Sequence, residues 1–310
     1  MDYSILGKTG LRVSKLGLGA GGPSKLGRNT GRSKPESINV VKVALDLGIN
    51  VIDTAESYRT ENIVGEAIKG YERSDIVIST KISTWRKLKP KKVRKSLKKS
   101  LKRLGTDYID VYHLHAVNPS KYQYYNDEIV PTLKNLKEEG YIRHLGITEM
   151  FHSDPTHQML HQAVKSDAWE VMMVGFNLLN QTARKFIFEK TIEKNIGVLV
   201  MFAVRRAMSR PERLEVNISK LIEKGELDKD NIDLDNPLGF LVNDNGAKSI
   251  VDAAYRFCLQ EPGTHVILTG TGDPSHLKEN VQSVERGPLP DALHRRLKDI
   301  FKNAQSVSGD

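Results

Sequence analysis

Pro90-Lys-Lys-Val-Arg-Lys-Ser-Leu-Lys-Lys-Ser-Leu-Lys-Arg-Leu-Gly-Thr-Asp-Tyr-Ile-Asp-Val-Tyr-His-Leu-His115 holds one complete helix-to-strand unit. Val93, Leu97, Leu101 and Leu104 recur at helical spacing and draw one apolar stripe. The run opens on proline, which suits a first turn, and Gly105 follows it where a left-handed C-cap belongs. Tyr108–His115 is then a short run rich in β-branched and aromatic residues, the mark of a strand. The lysines fall opposite the stripe and read as a solvated outer face.

The same unit recurs on both sides. Further strands are expected at Ser14–Gly19, Asn50–Asp53, Ile76–Lys81, Arg143–Thr148, Val171–Asn177, Gly197–Phe202 and His265–Gly270. Helical patterns fall at Pro35–Leu47, Thr60–Tyr71, Asp127–Glu139, His157–Lys165, Ala183–Lys194, Lys248–Leu259 and Asp273–Val284. Gly48 and Gly140 stand as further C-caps, and Asp273-Pro274 as an N-cap followed by a first-turn proline. Strands alternating with helices imply a parallel sheet wrapped by helices. Eight such units in 310 residues predict an α/β fold closed as a single (β/α)8 TIM barrel, not an open doubly wound sheet.

No Pro/Gly/Ser-rich linker divides the chain, so residues 1–310 read as one domain. Tyr3–Val13 reads as a hairpin turning at Gly10, and Pro290–Phe301 as one extra C-terminal helix. Residues 209–245 are polar and charged, which suggests a surface insertion near the active face. Residues 302–310 read as a flexible tail.

Composition narrows the function classes. No run approaches the roughly 20 apolar residues that span a bilayer, and Met1–Lys15 has no apolar core of a secretory signal. Cys258 is the only cysteine, so no intrachain disulfide forms, which fits a reducing compartment; a soluble, cytoplasmic protein is expected. The net charge of +9 raises a nucleic-acid reading, but much of the excess sits on the Pro90–Leu104 helix with no aromatic residues interleaved for base stacking. No nucleic-acid partner is expected. Gly17-Leu-Gly-Ala-Gly-Gly22 matches a dinucleotide fingerprint, which carries weight only where a strand turns straight into a helix. Here Pro23 and a loop to about Lys34 intervene, so these glycines more simply let the backbone pass close to a ligand.

Barrel enzymes place reactive groups at the C-terminal ends of strands. Those ends supply Asp53 and, in the loop after it, Tyr58; Lys81 closes the third strand and His115 the fourth. Together they make a proton-transfer device. A carbonyl that receives hydride must also receive a proton, and a tyrosine donates it if an ammonium lowers its pKa. An aspartate holds that ammonium, and a neutral imidazole orients the substrate oxygen. Taken singly, Asp53 also suits a loop cap, Tyr58 a surface aromatic, Lys81 a solvated charge and His115 a core histidine. His113 points inward as well, two residues below His115, and is expected one layer deeper as a core residue.

The segments Gly48-Ile-Asn-Val-Ile-Asp-Thr-Ala-Glu-Ser-Tyr58, Ile78-Ser-Thr-Lys81 and Asp107-Tyr-Ile-Asp-Val-Tyr-His-Leu-His115 resemble the aldo-keto reductases. So do Leu6–Gly19, Gly140–Thr148 and Leu277-Lys-Glu-Asn280. The resemblance implies a tetrad of Asp53, Tyr58, Lys81 and His115, with Tyr58 as acid/base, acting on an aldehyde or ketone or the matching alcohol or sugar. It implies a nicotinamide cofactor, NADP(H) over NAD(H), and no metal. Implied cofactor contacts are Gly19, Ala20, Asp53, Thr148, Glu149, Met173, Phe202, Arg205, Gly270, Thr271, Gly272, His276, Glu279 and Asn280.

The sequence departs from the family pattern at several of these. Thr148-Glu149 stands where Ser-Asn commonly holds the carboxamide, and Met173 where a glutamine does. Phe202 matches an aromatic that stacks on the nicotinamide. Arg205 and Arg206 reach the cofactor pyrophosphate or face solvent; the sequence leaves both open. Gly270 and His276 replace a lysine and an arginine common in strongly NADP-selective relatives. The departures keep a second class open: a nucleotide-binding regulatory or scaffold barrel with little turnover. Trp85, Asn118, Tyr122, Tyr124 and the segment after Ser209 are the candidate substrate-lining residues. Nothing in the sequence speaks to oligomeric state.

Overall fold

The computed structural model describes residues 1–310 as a closed parallel barrel ringed by helices. A hairpin of β1 (Tyr3–Ile5) and β2 (Arg12–Ser14) precedes it. The barrel strands are β3 (Leu16–Gly19), β4 (Val51–Asp53), β5 (Val77–Ser83), β6 (Ile109–Val117), β7 (Ile142–Glu149), β8 (Val171–Gly175), β9 (Gly197–Met201) and β10 (Val266–Thr269). They neighbour one another in that order, and β10 returns to β3. The helices are α1 (Lys34–Asp46), α2 (Glu61–Ala67), α3 (Pro90–Leu104), α4 (Tyr122–Glu128), α5 (Val130–Glu138), α6 (Gln158–Ala163), α7 (Ile187–Glu193), α8 (Arg206–Ser209), α9 (Pro211–Glu223), α10 (Ile250–Gln260), α11 (Pro274–Glu285) and α12 (Asp291–Ile300). No helix is long and apolar enough to cross a membrane.

Local chemistry accounts for most boundaries. Ser33 and Glu36 form a reciprocal capping box at the start of α1. Gly48, Gly105 and Gly140 all take the left-handed conformation expected of them. On α3 the stripe of Val93, Leu97, Leu101 and Leu104 is buried, and the lysines face solvent as read.

Three helices differ from expectation by more than two residues at one end, and the first of them, expected over Thr60–Tyr71, stops at Ala67. The single helix expected over Asp127–Glu139 is two, α4 and α5, separated at Ile129. Pro131 is the cause: its ring opposes the carbonyl of the preceding turn, so a helix restarts there rather than running through. The helix expected over Ala183–Lys194 is shortened to α7, because Phe186 takes a positive φ of 70°.

Side-chain alternation builds the barrel interior in layers. Val51, Val77, Val111, Val171, Leu199 and Val266 form its lower floor, closed from below by Leu6, Leu11 and Val13 of the hairpin. Two residues higher on three neighbouring strands stand Asp53, Ser79 and His113; above those come Lys81 and His115. The larger core lies between the strands and the helices.

The two outlying segments are more ordered than expected. Residues 209–245 contribute Leu214, Ile218, Leu221, Leu238 and Leu241 to the main core, so the apolar face of α9 makes this segment part of the packed layer. Residues 302–310 are no loose tail. Asn180 Nδ2 donates to the Val307 carbonyl at 2.8 Å, Asn177 Nδ2 to that of Ser308 at 3.0 Å, and Ala207 N to that of Gly309 at 3.0 Å. Buried Ala304 and Val307 add apolar contact, and together these tie the segment across the ends of β8 and β9.

Candidate active site

Asp53 and Lys81 reach the upper barrel from adjacent strands. Lys81 Nζ donates to both Asp53 oxygens at 2.6 Å and to the Thr54 carbonyl at 2.8 Å. Lys81 is fully buried, so three short acceptors replace its water. Burial lowers its pKa and the Asp53 carboxylate opposes that shift. Tyr58 sits on the short turn after β4, its hydroxyl 3.2 Å from His115 Nε2. The two rings meet edge to face at 5.3 Å. Ser57 Oγ lies 3.5 Å from the other ring nitrogen of His115.

The structure changes one part of the expected electrostatics. Lys81 touches Asp53, not the phenol; its Nζ lies 5.2 Å from the Tyr58 ring centre. Burial and the nearby Asp53 raise the Tyr58 pKa, with Arg205 opposing, so the hydroxyl keeps its proton at neutral pH. Burial and Lys81 push the His115 pKa down to about 3, leaving a neutral imidazole.

The seat of Tyr58 was not legible beforehand. A Cβ at Gly21 would stand 2.3 Å from Tyr58 Cε2, so the ring lies flat on bare backbone. The glycine run that mimics a dinucleotide fingerprint therefore makes room for the tyrosine, and Gly19, Gly21 and Gly22 line the cleft beside it. No wider pattern around Gly21 signals this, because its contact is 37 residues away in the chain, counting from 21 to 58.

A cleft of about 580 Å³ opens beside these groups. Gly19, Asp53, Tyr58, Met173, Phe202, Arg205, Gly270, Thr271, His276, Glu279 and Asn280, all expected at the site, line it. The Arg205 guanidinium lies over the Phe202 ring at 4.2 Å and pairs with Asp310 at 2.7 Å. Arg206 and Arg210 line the cleft too. Two buried polar atoms among the lining residues, Ser24 Oγ and Arg205 Nε, have no protein partner. Cationic walls with orphaned donors suit an anionic ligand such as a dinucleotide.

Four expected cofactor contacts lie outside this lining. Ala20 is fully buried, with its N–H given to the Asp53 carbonyl at 2.7 Å. Thr148 Oγ1 accepts from Ala116 N at 2.8 Å. Glu149 is turned into the protein, where both oxygens lie 2.9 Å from His157 Nδ1 and one accepts from Gly175 N at 2.8 Å. Gly272 packs on Gly27, leaving no space for a Cβ. Among the substrate candidates, Trp85 is 67% exposed and free to meet a ligand. Tyr122 is buried and accepts from Trp169 Nε1 at 3.2 Å; Tyr124 donates to the Leu88 carbonyl at 2.5 Å. Asn118 caps the turn at Ser120. Arg32 was missed entirely: it pairs with Asp273 at 2.8 Å, beside Thr271.

An eight-stranded parallel barrel with a polar cluster at the upper ends of its strands, beside a cleft of about 580 Å³, has the layout of a barrel enzyme. A family model described as the aldo/keto reductase family matches residues 15–302, and the chain belongs to that family. Family and fold make it a nicotinamide-dependent carbonyl oxidoreductase. It is 27% identical to the uncharacterized oxidoreductase YqkF of Bacillus subtilis, over 97% of this chain and 98% of the relative. The aldo-keto reductase YhdN of the same organism is 27% identical over 99% and 95%. The structure resembles the holo form of aldo-keto reductase AKR11C1 from Bacillus halodurans, with a TM-score of 0.74 and 25% identity over 99% and 97% of the two chains.

Proposed function

We propose that the protein reduces an aldehyde or ketone, or oxidises the matching alcohol or sugar, with Tyr58 as the acid/base. The observation that carries this is the meeting of the Tyr58 hydroxyl, neutral His115 and the buried Lys81–Asp53 pair beside one cleft. The nicotinamide supplies or takes the hydride when bound. Tyr58 gives the carbonyl oxygen its proton, and His115 orients that oxygen beside the hydroxyl. Lys81 offsets the charge left on Tyr58, held in place by Asp53 and the Thr54 carbonyl. Phe202, Arg205, Arg206 and Arg210 line the cleft; with a nucleotide bound, Phe202 would offer its nicotinamide a platform and the arginines would hold its phosphates.

Tyr58→Phe removes the proton and little else. Turnover of a generic aldehyde should fall about a hundredfold or more, with nucleotide affinity retained. Near-normal kcat in that variant would remove the assignment. The departures at Thr148 and Glu149 favour a second reading, a nucleotide-binding scaffold with little turnover. Repeated turnovers in the steady state exclude it; a single slow turnover supports it.

The cofactor is NADP(H), with NAD(H) also used. Thr271 and the N-terminus of α11 offer neutral donors to a 2′-phosphate. Asp273 would repel that phosphate, but its carboxylate is engaged by Arg32, Ser275 N and the Ser275 hydroxyl. With no lysine at Gly270 and no arginine at His276, the preference for NADPH should be modest. Comparing kcat/KM for NADPH and NADH at neutral pH checks this. A clear NADH preference, or about a thousandfold NADPH preference, contradicts it.

A further inference from the structure

Ser79 and His113 stand between the valine floor and the rim, and the chemistry above uses neither. Both side chains are fully buried. Ser79 Oγ donates to Asp53 Oδ1 at 2.6 Å, and the same oxygen lies 3.0 Å from His113 Nε2. Strand register explains the proximity: Asp53 pairs with Ser79 across β4 and β5, and Lys81 with His113 across β5 and β6. Small apolar side chains would fill this layer at lower desolvation cost. Instead the layer keeps two polar groups, and His113 Nδ1 makes no well-formed hydrogen bond, lying against the backbone of β7 at Gly146 and Ile147.

Counting protons gives the polarity of the chain. An ionised carboxylate only accepts, and Asp53 takes two bonds from Lys81 and one from Ser79. With its single proton given to Asp53, the Ser79 oxygen can only accept from His113. His113 then carries its proton on Nε2, and the orphaned Nδ1 is the atom this tautomer leaves bare. Burial, Lys81 and His115 hold the His113 pKa well below its ordinary range, outweighing the opposing pull of the Ile147 backbone, so the ring is neutral.

We propose that Ser79 and His113 are positioning residues of the active site, forming a directed chain from His113 Nε2–H through the Ser79 hydroxyl to Asp53 that orients the carboxylate on Lys81 and spreads its charge. The inference rests on Tyr58 being the acid/base. Asp53 disfavours ionisation of Tyr58, and each hydrogen bond given to the carboxylate weakens that effect. The other groups facing the cluster are Lys81, His115, Glu61 from α2 and Arg205 at the mouth.

The test is the pH–rate profile of alcohol oxidation in four variants. Ser79→Ala should lower kcat about tenfold and move the limb governed by Tyr58 to higher pH, with the KM for nucleotide unchanged. His113→Leu should move the limb in the same direction by less. His113→Gln keeps an N–H donor and Ser79→Thr keeps the hydroxyl, so both should follow the unmodified enzyme. An unmoved limb in Ser79→Ala and His113→Leu overturns the proposal, as does a His113→Gln profile displaced as far as that of His113→Leu. The His113 pair decides the matter by itself if Ser79→Ala fails to fold. Loss of turnover in Tyr58→Phe with an unmoved limb in Ser79→Ala refutes this inference alone. Retained turnover in Tyr58→Phe refutes the acid/base reading beneath it.

Discussion

Asp53 and Asp110 occupy neighbouring regions of one barrel, both nearly inaccessible and both ion-paired, yet they do opposite things. Asp110 lies low on β6 and faces outward, since its neighbour Val111 points to the floor. It binds Arg73 at 2.7 Å, Arg143 at 3.0 Å and the Ile78 N–H at 2.9 Å. Its arginines stay partly in water, the Arg143 side chain 47% exposed, so only one charge of each pair is desolvated. Asp53 lies high and faces inward against Lys81, whose side chain is 0% exposed. Both charges there have lost their water, an arrangement that contributes little to stability. The lower pair stitches strand to loop; the upper pair holds a charge beside the cleft, where the proposed chemistry would take place.

The contrast is broken most directly at Lys81. Lys81→Met leaves Asp53 buried without a counter-charge, and urea unfolding should show a loss of about 3–5 kcal/mol. The alcohol-oxidation profile should also move to higher pH, because phenolate loses its neighbouring cation. Pairing it with Asp53→Leu should return most of the stability while activity stays lost. A double variant as unstable as the single one would show that the pair is structural after all.

Asp110→Asn tests the lower region. It removes charge-assisted hydrogen bonds, so the unfolding free energy should drop by about 1.5–3 kcal/mol with kcat unchanged. A kcat that falls with stability would mean that the two regions are coupled.

The smallest effect is expected at Glu170, also near the floor, where it accepts from His144 at 2.7 Å, Lys137 at 2.7 Å and Leu145 N at 3.1 Å. Burial alone would raise its pKa, but these donors outweigh it and bring the carboxyl from 4.5 down to about 2. A carboxylate held low in the fold stabilises it above the unfolded value, and that stabilisation is lost as pH falls from 4.5 toward 2. Glu170→Gln should therefore unfold more readily than the unmodified chain near neutrality, with the gap closing across that window. A constant gap down to about pH 2 would assign the effect to packing.

Several features were legible because they repeat locally. The stripe of Val93 to Leu104, the glycine caps and the eight β-rich runs each occupy one short window, and the strand ends named Asp53, Lys81 and His115 directly. Tyr58 came from its spacing to Asp53. The floor and rim layers were also written in the chain, as Val51-x-Asp53, Val77-x-Ser79-x-Lys81 and Val111-x-His113-x-His115, with period two. Ser79 carries no sign of its own, because a small hydroxyl on a buried strand gains meaning only once Asp53 and His113 stand beside it.

Other features had no local sign. Residues 302–310 look loose by composition, but Asn177 and Asn180 give them hydrogen-bond partners more than a hundred positions earlier. Glu149 reads as a cofactor contact by position, until His157 and Gly175 N close around it. Asp273 reads as repelling phosphate until Arg32, 241 residues away, pairs with it. The sequence by itself determined the repeat, the barrel and the identity of the rim residues, because periodicity and strand ends are properties of short segments. Tertiary structure alone decided which charges are neutralised, which polar atoms stay free and which glycine seats the tyrosine. Those depend on what arrives from distant strands once the barrel has closed.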